Sequence, residues 1–479
     1  MDVTAKQARK TAVGNALPHD SAHLHVSGRA AYTDDLPEPR DLLHLAVGMS
    51  SKAHARLRAV DLSDVLAAEG VVDVCLASDI PGENNCGPIV HDEKIFATDT
   101  VEYAGQAIFA VAARTVEQAR KAARLAKIDY EELEPILDPL TAVEKGSFVL
   151  PSETLTRGDP ASAIRDAPRR LQRRIAMGGQ DQFYLEGHIS MCVPQEDNGL
   201  LLYSSTQHPD EVQHLVANAT NRDAKDVVCI CRRMGGAVGG KESQAATIAC
   251  IAALMTIRTG RSCKLRLDRD VDMIMTGKRH DFVVDYDVGF DESGRIRGID
   301  FTFASRCGIS ADLSGPVNDR TMFHCDNAYF LENVNIVSHR CKTNTVSNTA
   351  FRGFGGPQGM FAIEHAIDDI ARTLDVDPLE IRRKNFYGVG ERDVTQYGQM
   401  IEDNILDLIT DKLEAGADYR ERRASIRDFN KSSKVLKRGI ALTPVKFGIS
   451  FTSTHLNQAG ALIHVYRDGT VHLNHGGTE

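Results

Sequence analysis

Gly235-Gly236-Ala237-Val238-Gly239-Gly240-Lys241-Glu242 leads into a long apolar stretch, residues 245–258, that is closed by Gly260. An apolar face on nearly every side predicts a buried helix, and the glycine beyond it predicts its C-cap. The segment before it therefore reads as a tight glycine turn from a strand into that helix, the unit from which α/β domains are built. Gly235, Gly240 and Lys241 also have the spacing of a nucleotide phosphate loop. That motif next needs Ser or Thr to hold magnesium, and this chain has Glu242, whose carboxylate would repel a triphosphate. That departure weakens the phosphate-loop reading without removing it, beside two others: a purely structural turn, or a loop that sets backbone amides and Glu242 around a bound molecule.

A second glycine cluster, Ala350-Phe351-Arg352-Gly353-Phe354-Gly355-Gly356-Pro357-Gln358, is not a dinucleotide fingerprint, because Gln358 stands where the third glycine is required. It still presents amides at a helix N-terminus, and Arg352 adds a fixed cation. Phe354, held between glycines, suits stacking on a flat ligand better than filling a core. A third segment, Ser204-Ser205-Thr206-Gln207-His208-Pro209, carries a neutral amide at Gln207 that can donate to an oxygen without adding charge. Glu242 and Arg320, in Asn318-Asp319-Arg320, supply one negative and one positive group that could hold a polar ring. Alone, Arg320 reads as a surface arginine paired with a neighbouring acid. His19, His23 and His25 lack HExxH spacing and read as ordinary polar residues.

The 479 residues leave room for about three domains. With 42% hydrophobic and 25% charged residues the composition is that of a globular protein, and a net charge of −10 gives no support to nucleic-acid binding. The basic runs at Arg169-Arg170, Arg173-Arg174 and Arg382-Arg383-Lys384 read as solvated faces. Ten cysteines form no CxxC pair, so neither a zinc nor an iron–sulfur site is encoded here, and Cys229 and Cys231 read as buried thiols. Scattered cysteines without a signal peptide predict a reducing, cytoplasmic setting. No apolar stretch is long enough to span a membrane.

Alternating strand and helix patterns predict an α/β (α+β) chain. A small α/β domain covers residues 20–134, after a polar start expected to fray. Within it, Ser63 is expected to cap a short helix, and Thr115 with Gln118 to open another. A polar, proline-containing linker follows at 135–165. The first part of a larger α/β domain occupies 166–418, including a hairpin through Asp291-Glu292-Ser293-Gly294 and a helix opened by Asp377-Pro378-Leu379-Glu380. A charged run then precedes a further unit at 437–479, with a hairpin through Asp468-Gly469.

Together these segments resemble the molybdenum-binding subunit of the molybdenum hydroxylases, the xanthine dehydrogenase and aldehyde oxidase family. Further matches are Gly179-Gln180, Phe183-Tyr184-Leu185-Glu186, Lys342-Thr343-Asn344, Ser347-Asn348-Thr349, residues 446–452 and residues 456–462. The resemblance implies a dioxothio-molybdenum centre on molybdopterin as cofactor. It implies that Gln207 bonds the apical oxo group, and that Val238, Gly239, Arg352 and Gly353 line the metal and cofactor. It implies that Glu242 and Arg320 bind a purine, that Phe354 and Phe451 sandwich it, and that Thr452 touches its far edge. Hydroxylation of hypoxanthine and xanthine to uric acid would proceed by attack of Mo–OH on a ring carbon and hydride transfer to Mo=S. Negative charge pushed onto the ring would be stabilised by Arg320 while Glu242 bonds a ring N–H. Aldehyde-oxidising relatives lack that charged pair.

The family usually carries an aromatic residue where this chain has Val238, which is expected to leave a void beside the metal. It also continues beyond Thr478-Glu479 into a second half that holds the general-base glutamate, so these residues alone are expected to be inactive. FAD and 2Fe-2S are expected on a separate partner subunit, in a hetero-oligomer, a dimer of heterodimers. The alternatives are an aldehyde- or N-heterocycle-oxidising relative, a non-catalytic fragment that at most docks a partner, and a phosphate-loop nucleotidase.

Overall fold

The computed structural model describes residues 14–475; part of the N-terminal stretch expected to fray, and the last four residues, lie outside them. A seven-stranded mixed sheet runs in the spatial order Val227–Ile230, Leu200–Ser204, Ile189–Pro194, Cys263–Arg266, Leu43–Met49, Ala107–Ala113, Val71–Leu76. Leu43–Met49 pairs in parallel with Cys263–Arg266, so the N-terminal unit and the larger domain share one continuous sheet.

The helix predicted after the glycine turn is Ala245–Thr259. Its alanine, isoleucine and leucine side chains are buried against that sheet and against the helix Pro209–Thr220. Gly260 adopts the left-handed conformation (φ 63°) and its N–H donates to the Thr256 carbonyl, the C-cap expected of it.

A five-stranded sheet, in the order Phe148–Arg157, Val334–Lys342, Ile296–Gly308, Phe282–Phe290, Arg169–Met177, builds a second core. Phe282, Phe301, Phe303 and Ile336 face the helices Ser314–His324 and Gly356–Leu374 across it. The stretch expected to be a linker, 135–165, is structured. It holds the helices Pro139–Glu144 and Pro160–Arg165, and its strand Phe148–Arg157 pairs with Val334–Lys342. Aspartate caps and N1 prolines at Asp138-Pro139 and Asp159-Pro160 explain both short helices.

The Asp377-Pro378 start of the helix Pro378–Asn385 forms as predicted, with Asp377 accepting the Leu379 N–H. Both expected hairpins form, Phe282–Phe290 with Ile296–Gly308 and Ala461–Val465 with Val471–His475, each pair antiparallel. Thr115 accepts the Gln118 N–H at 3.2 Å. Ser63 is not the cap of its short helix. Leu62 precedes the first turn, and Asp61 takes the Ser63 N–H instead.

Cys229 and Cys231 are half-buried rather than buried, and all ten cysteines are free thiols. Arg170 and Arg174 form the solvated ladder expected, paired with Asp287 and Asp285, whereas Arg382 is buried between Glu364 and Asp368. No helix among the described residues is long and apolar enough to cross a membrane.

Candidate active site

Both glycine loops and the Gln207 turn meet at one place. The Gln207 side-chain oxygen accepts the Gly239 N–H at 2.9 Å, and the Gln207 N–H donates to the Lys241 carbonyl at 2.9 Å. Val238 in turn accepts the Arg352 N–H at 2.8 Å, which joins the first glycine loop to the second. A Cβ on Gly239 would lie 2.8 Å from the Ala350 carbonyl carbon, so the two backbones approach as closely as only glycine permits.

The backbone is strained here. Val238 (φ 47°) and Phe354 (φ 50°) occupy the left-handed region, which β-branched and bulky residues rarely enter. Phe183 (φ 51°) does the same beside Tyr184, whose Cβ lies 3.2 Å from the position of a Cβ on Gly236. Strain of this kind survives only where the surrounding structure fixes it, and it gathers at ligand sites.

Lys241 decides the phosphate-loop question. Its side chain is fully buried and turned inward, with Nζ 2.7 Å from the Glu186 carbonyl and 2.9 Å from Ser205 Oγ. It lies 4.7 Å over the Tyr184 ring and pairs with the Glu186 carboxylate at 3.3 Å. Burial lowers its pKa, and the Glu186 charge opposes that shift. A lysine so committed cannot reach a phosphate on the loop's outer face.

Arg279, 8% exposed, supports the second loop from behind. It stacks 4.0 Å from the Phe351 ring centre and donates to the Arg352 carbonyl at 2.9 Å. Burial lowers its pKa to about 10.

Arg320 lies on the helix Ser314–His324 and is only 3% exposed, so it is not the surface arginine that its local sequence suggests. Neighbouring Asp319 pairs with Arg340 instead. The Arg320 guanidinium donates to the Gly448 and Ser450 carbonyls and lies 5.7 Å from the Phe354 ring centre and 5.0 Å from that of Phe447. Its Nε is buried without a hydrogen-bond partner.

His324, one turn on, receives the Gly448 N–H on Nε2 at 2.9 Å and bonds the Arg320 carbonyl through Nδ1 at 3.0 Å. That pattern requires the neutral Nδ1–H form, and burial, with the Lys446 charge, pulls its pKa down to about 4.

Phe354 and Phe451 face each other with ring centres 5.1 Å apart and planes inclined by 48°. That is direct contact. A planar guest sandwiched between them needs the rings to separate to roughly 7 Å. The Thr452 hydroxyl donates to the Pro316 carbonyl at 2.7 Å, beside Val317 of the same small apolar cluster as Phe354 and Phe451. Glu242 is half-buried on the first loop, and its charge helps to raise the pKa of His208, after the larger effect of the Glu211 hydrogen bond. The Arg352 side chain is exposed.

The structure thus joins Gln207, Val238, Gly239 and Arg352 in one cluster and Arg320, Phe354, Phe451 and Thr452 in another, with the 350–358 loop common to both. Asp312, Ser243, Gln244 and Thr349, which interlock behind the loops, had no motif spacing to reveal them, although Thr349 ends one of the runs on which the resemblance rests.

Two glycine loops of strained, positive-φ backbone tied together through Gln207 define a class: an α/β protein built to hold a cofactor against its backbone amides. Comparison with known proteins agrees. Residues 144–386 match the molybdopterin cofactor-binding domain family, and residues 412–479 match a second molybdopterin cofactor-binding domain. Residues 27–134 match the a/b hammerhead domain of aldehyde oxidase and xanthine dehydrogenase.

The chain is 42% identical to the xanthine dehydrogenase of Calliphora vicina and 41% identical to the xanthine dehydrogenase/oxidase of Gallus gallus. Each match covers 100% of this chain and 35% of the relative. The fold superposes on the aldehyde oxidoreductase of Desulfovibrio gigas with a TM-score of 0.82 at 23% identity, over 95% of this chain and 51% of that one. The quinoline 2-oxidoreductase of Pseudomonas putida 86 gives 0.78 at 21% identity, over 88% and 56%. The chain belongs to the molybdopterin-binding aldehyde oxidase and xanthine dehydrogenase family, and it spans about a third of the length of the curated relatives it matches.

The donor set fits that cofactor. With its oxygen committed to Gly239, the Gln207 amide has its NH2 left to donate to an oxo group, and Gly236, Val238 and Gly239 on one loop, with Gly353, Phe354 and Gly355 on the other, have the positive φ that lets backbone amides turn toward a ligand.

Proposed function

We propose that this chain provides the molybdopterin-binding and substrate-orienting part of a xanthine dehydrogenase, which hydroxylates hypoxanthine and xanthine to uric acid. The observation that carries this reading is a nearly buried arginine, Arg320, set against Phe354 on the same loop whose Arg352 N–H is bonded to Val238. A guanidinium in so little solvent gains most from an anionic partner, and a purine accumulating negative charge during attack on a ring carbon is such a partner. An aldehyde gathers its developing charge on one carbonyl oxygen and has no heterocyclic ring to be held between Arg320 and Glu242.

When bound, a dioxothio-molybdenum centre supplies the oxidation: oxygen derived from water enters the substrate and two electrons leave it. Gln207 would hold that group through its amide N–H, and Val238, Gly239, Arg352 and Gly353 would line it with backbone. Glu242 bonds a ring N–H or carbonyl tautomer, and Arg320 orients the ring from the opposite side. Phe354 and Phe451 separate to admit it and exclude water, with Thr452 at its far edge. A partner subunit in a cytoplasmic hetero-oligomer would hold the 2Fe-2S and FAD that take up those electrons.

Two measurements test this reading. Molybdenum analysis of the purified protein is expected to give about one metal per chain in the intact complex. A substrate panel is expected to show turnover of xanthine well above that of benzaldehyde. Absence of metal, or preference for benzaldehyde, contradicts it.

A further inference from the structure

Behind the two glycine loops lies a buried carboxylate that neither loop contains. Asp312, 4% exposed and itself left-handed (φ 38°), accepts four hydrogen bonds. Its Oδ2 takes the Ser243 hydroxyl at 2.7 Å and the Gln244 amide at 2.8 Å, directly after Glu242. Its Oδ1 takes the Thr349 hydroxyl at 2.6 Å, directly before the 350–358 loop, and the Leu313 N–H at 2.6 Å. Ser243 and Thr349 also lie 3.0 Å apart.

The turn that carries Asp312 is held in place from the small N-terminal unit. Asp92 accepts the Ala311 N–H at 2.8 Å, and Glu93 accepts the hydroxyls of Ser310 and Ser347. Gln244 is fixed at its other end as well, where its oxygen accepts the Gly277 N–H at 2.8 Å.

We propose that Asp312 is a positioning residue that sets the distance between the two site loops, and that the Asp92–Glu93 turn of the small unit holds Asp312 in place to do so. All four donors are met only by a carboxylate. An asparagine at this position would turn an NH2 group toward either Gln244 Nε2 or the Leu313 N–H, and a donor would face a donor. Gln244 cannot rotate to relieve this without losing Gly277. The carboxylate therefore couples the Glu242 side of the site to the Arg352 side, and both to the N-terminal unit. That this matters for cofactor and purine rests on the function proposed above; the coupling itself does not.

Hydrogen–deuterium exchange on the whole protein tests the brace, in the intact complex and after removal of the cofactor. Thr349→Val removes one charge-assisted bond. It is expected to raise exchange about ten-fold in peptides covering 235–244 as well as 349–356, with Thr349→Ser restoring the original rates. Asp312→Asn is expected to do the same more strongly, and peptides covering 282–308 to stay unchanged. A rise confined to 349–356, a rise throughout the chain, or no rise would overturn the proposal. Should Asp312→Asn fail to fold, the Thr349 pair still decides it. A wild-type protein that holds no molybdenum would defeat the cofactor reading and leave the exchange comparison in force.

Discussion

Gln207 turns its side-chain oxygen to the Gly239 N–H at 2.9 Å, and so the amide NH2 points away from the loop that anchors it. Gln207→Glu keeps the acceptor and removes the donor. The variant is expected to fold with stability within about 0.5 kcal/mol of the original, yet to lose about a hundred-fold in turnover in the intact enzyme. Thermal unfolding and steady-state kinetics read the two effects separately. Full turnover with glutamate at 207 would remove the donor role.

Lys241 is the one lysine of the near-phosphate loop, and it is spent on Glu186. Lys241→Met leaves that largely buried carboxylate without its cation and is expected to cost about 3–5 kcal/mol in urea unfolding. Pairing it with Glu186→Gln should recover part of the loss. ATP titration of the wild-type protein is expected to be flat to millimolar concentration; saturable binding would revive the nucleotide reading.

The strand-to-helix turn and its buried helix were legible because glycine spacing and an unbroken apolar run are local signals, and Ala245–Thr259 repeats them directly. So were the caps at Thr115 and Asp377, where side chain and donor lie within three residues. Arg320 misled for the converse reason. Its neighbour Asp319 suggested an exposed pair, while the residues that bury it, Phe354, Phe447, Gly448 and Ser450, lie 34 to 130 positions away in sequence. Residues 135–165 misled in the same way, since prolines that punctuate a linker equally start a helix after an aspartate. The contact of Phe354 with Phe451 is a matter of side-chain packing that no spacing encodes.

Gly355 carries φ +94°, and a Cβ there would stand 2.0 Å from the Val317 carbonyl oxygen, a backbone atom that cannot swing aside. Gly355→Ala is expected to lower stability by about 2 kcal/mol or more. Gly416→Ala, with open space around it at a helix end, should be neutral or stabilising by about 0.5 kcal/mol. Melting temperatures of the two variants compare them directly; equal shifts would contradict the packing described for the second loop.

Burial pushes the Glu93 carboxyl up to about 7, against the serine hydroxyls that favour its charge. A carboxyl with a raised folded-state pKa holds its proton longer than the unfolded chain does. Its contribution is therefore present at low pH and lost as pH rises from about 4.5 to 7. Relative to wild type, Glu93→Gln is expected to gain roughly 2–3 kcal/mol across that window. Denaturant unfolding at pH 5 and pH 7.5 measures the difference; no difference between the two would place Glu93 in solvent, and an opposite one would mean that its folded pKa is lowered.

The most direct test of the account is steady-state turnover of xanthine by the intact enzyme carrying Arg320→Met or Thr452→Ala. Loss of the buried guanidinium is expected to reduce kcat/KM about a hundred-fold or more, and loss of the Thr452 hydroxyl less than about ten-fold. Equal losses in the two variants would contradict the role given to Arg320.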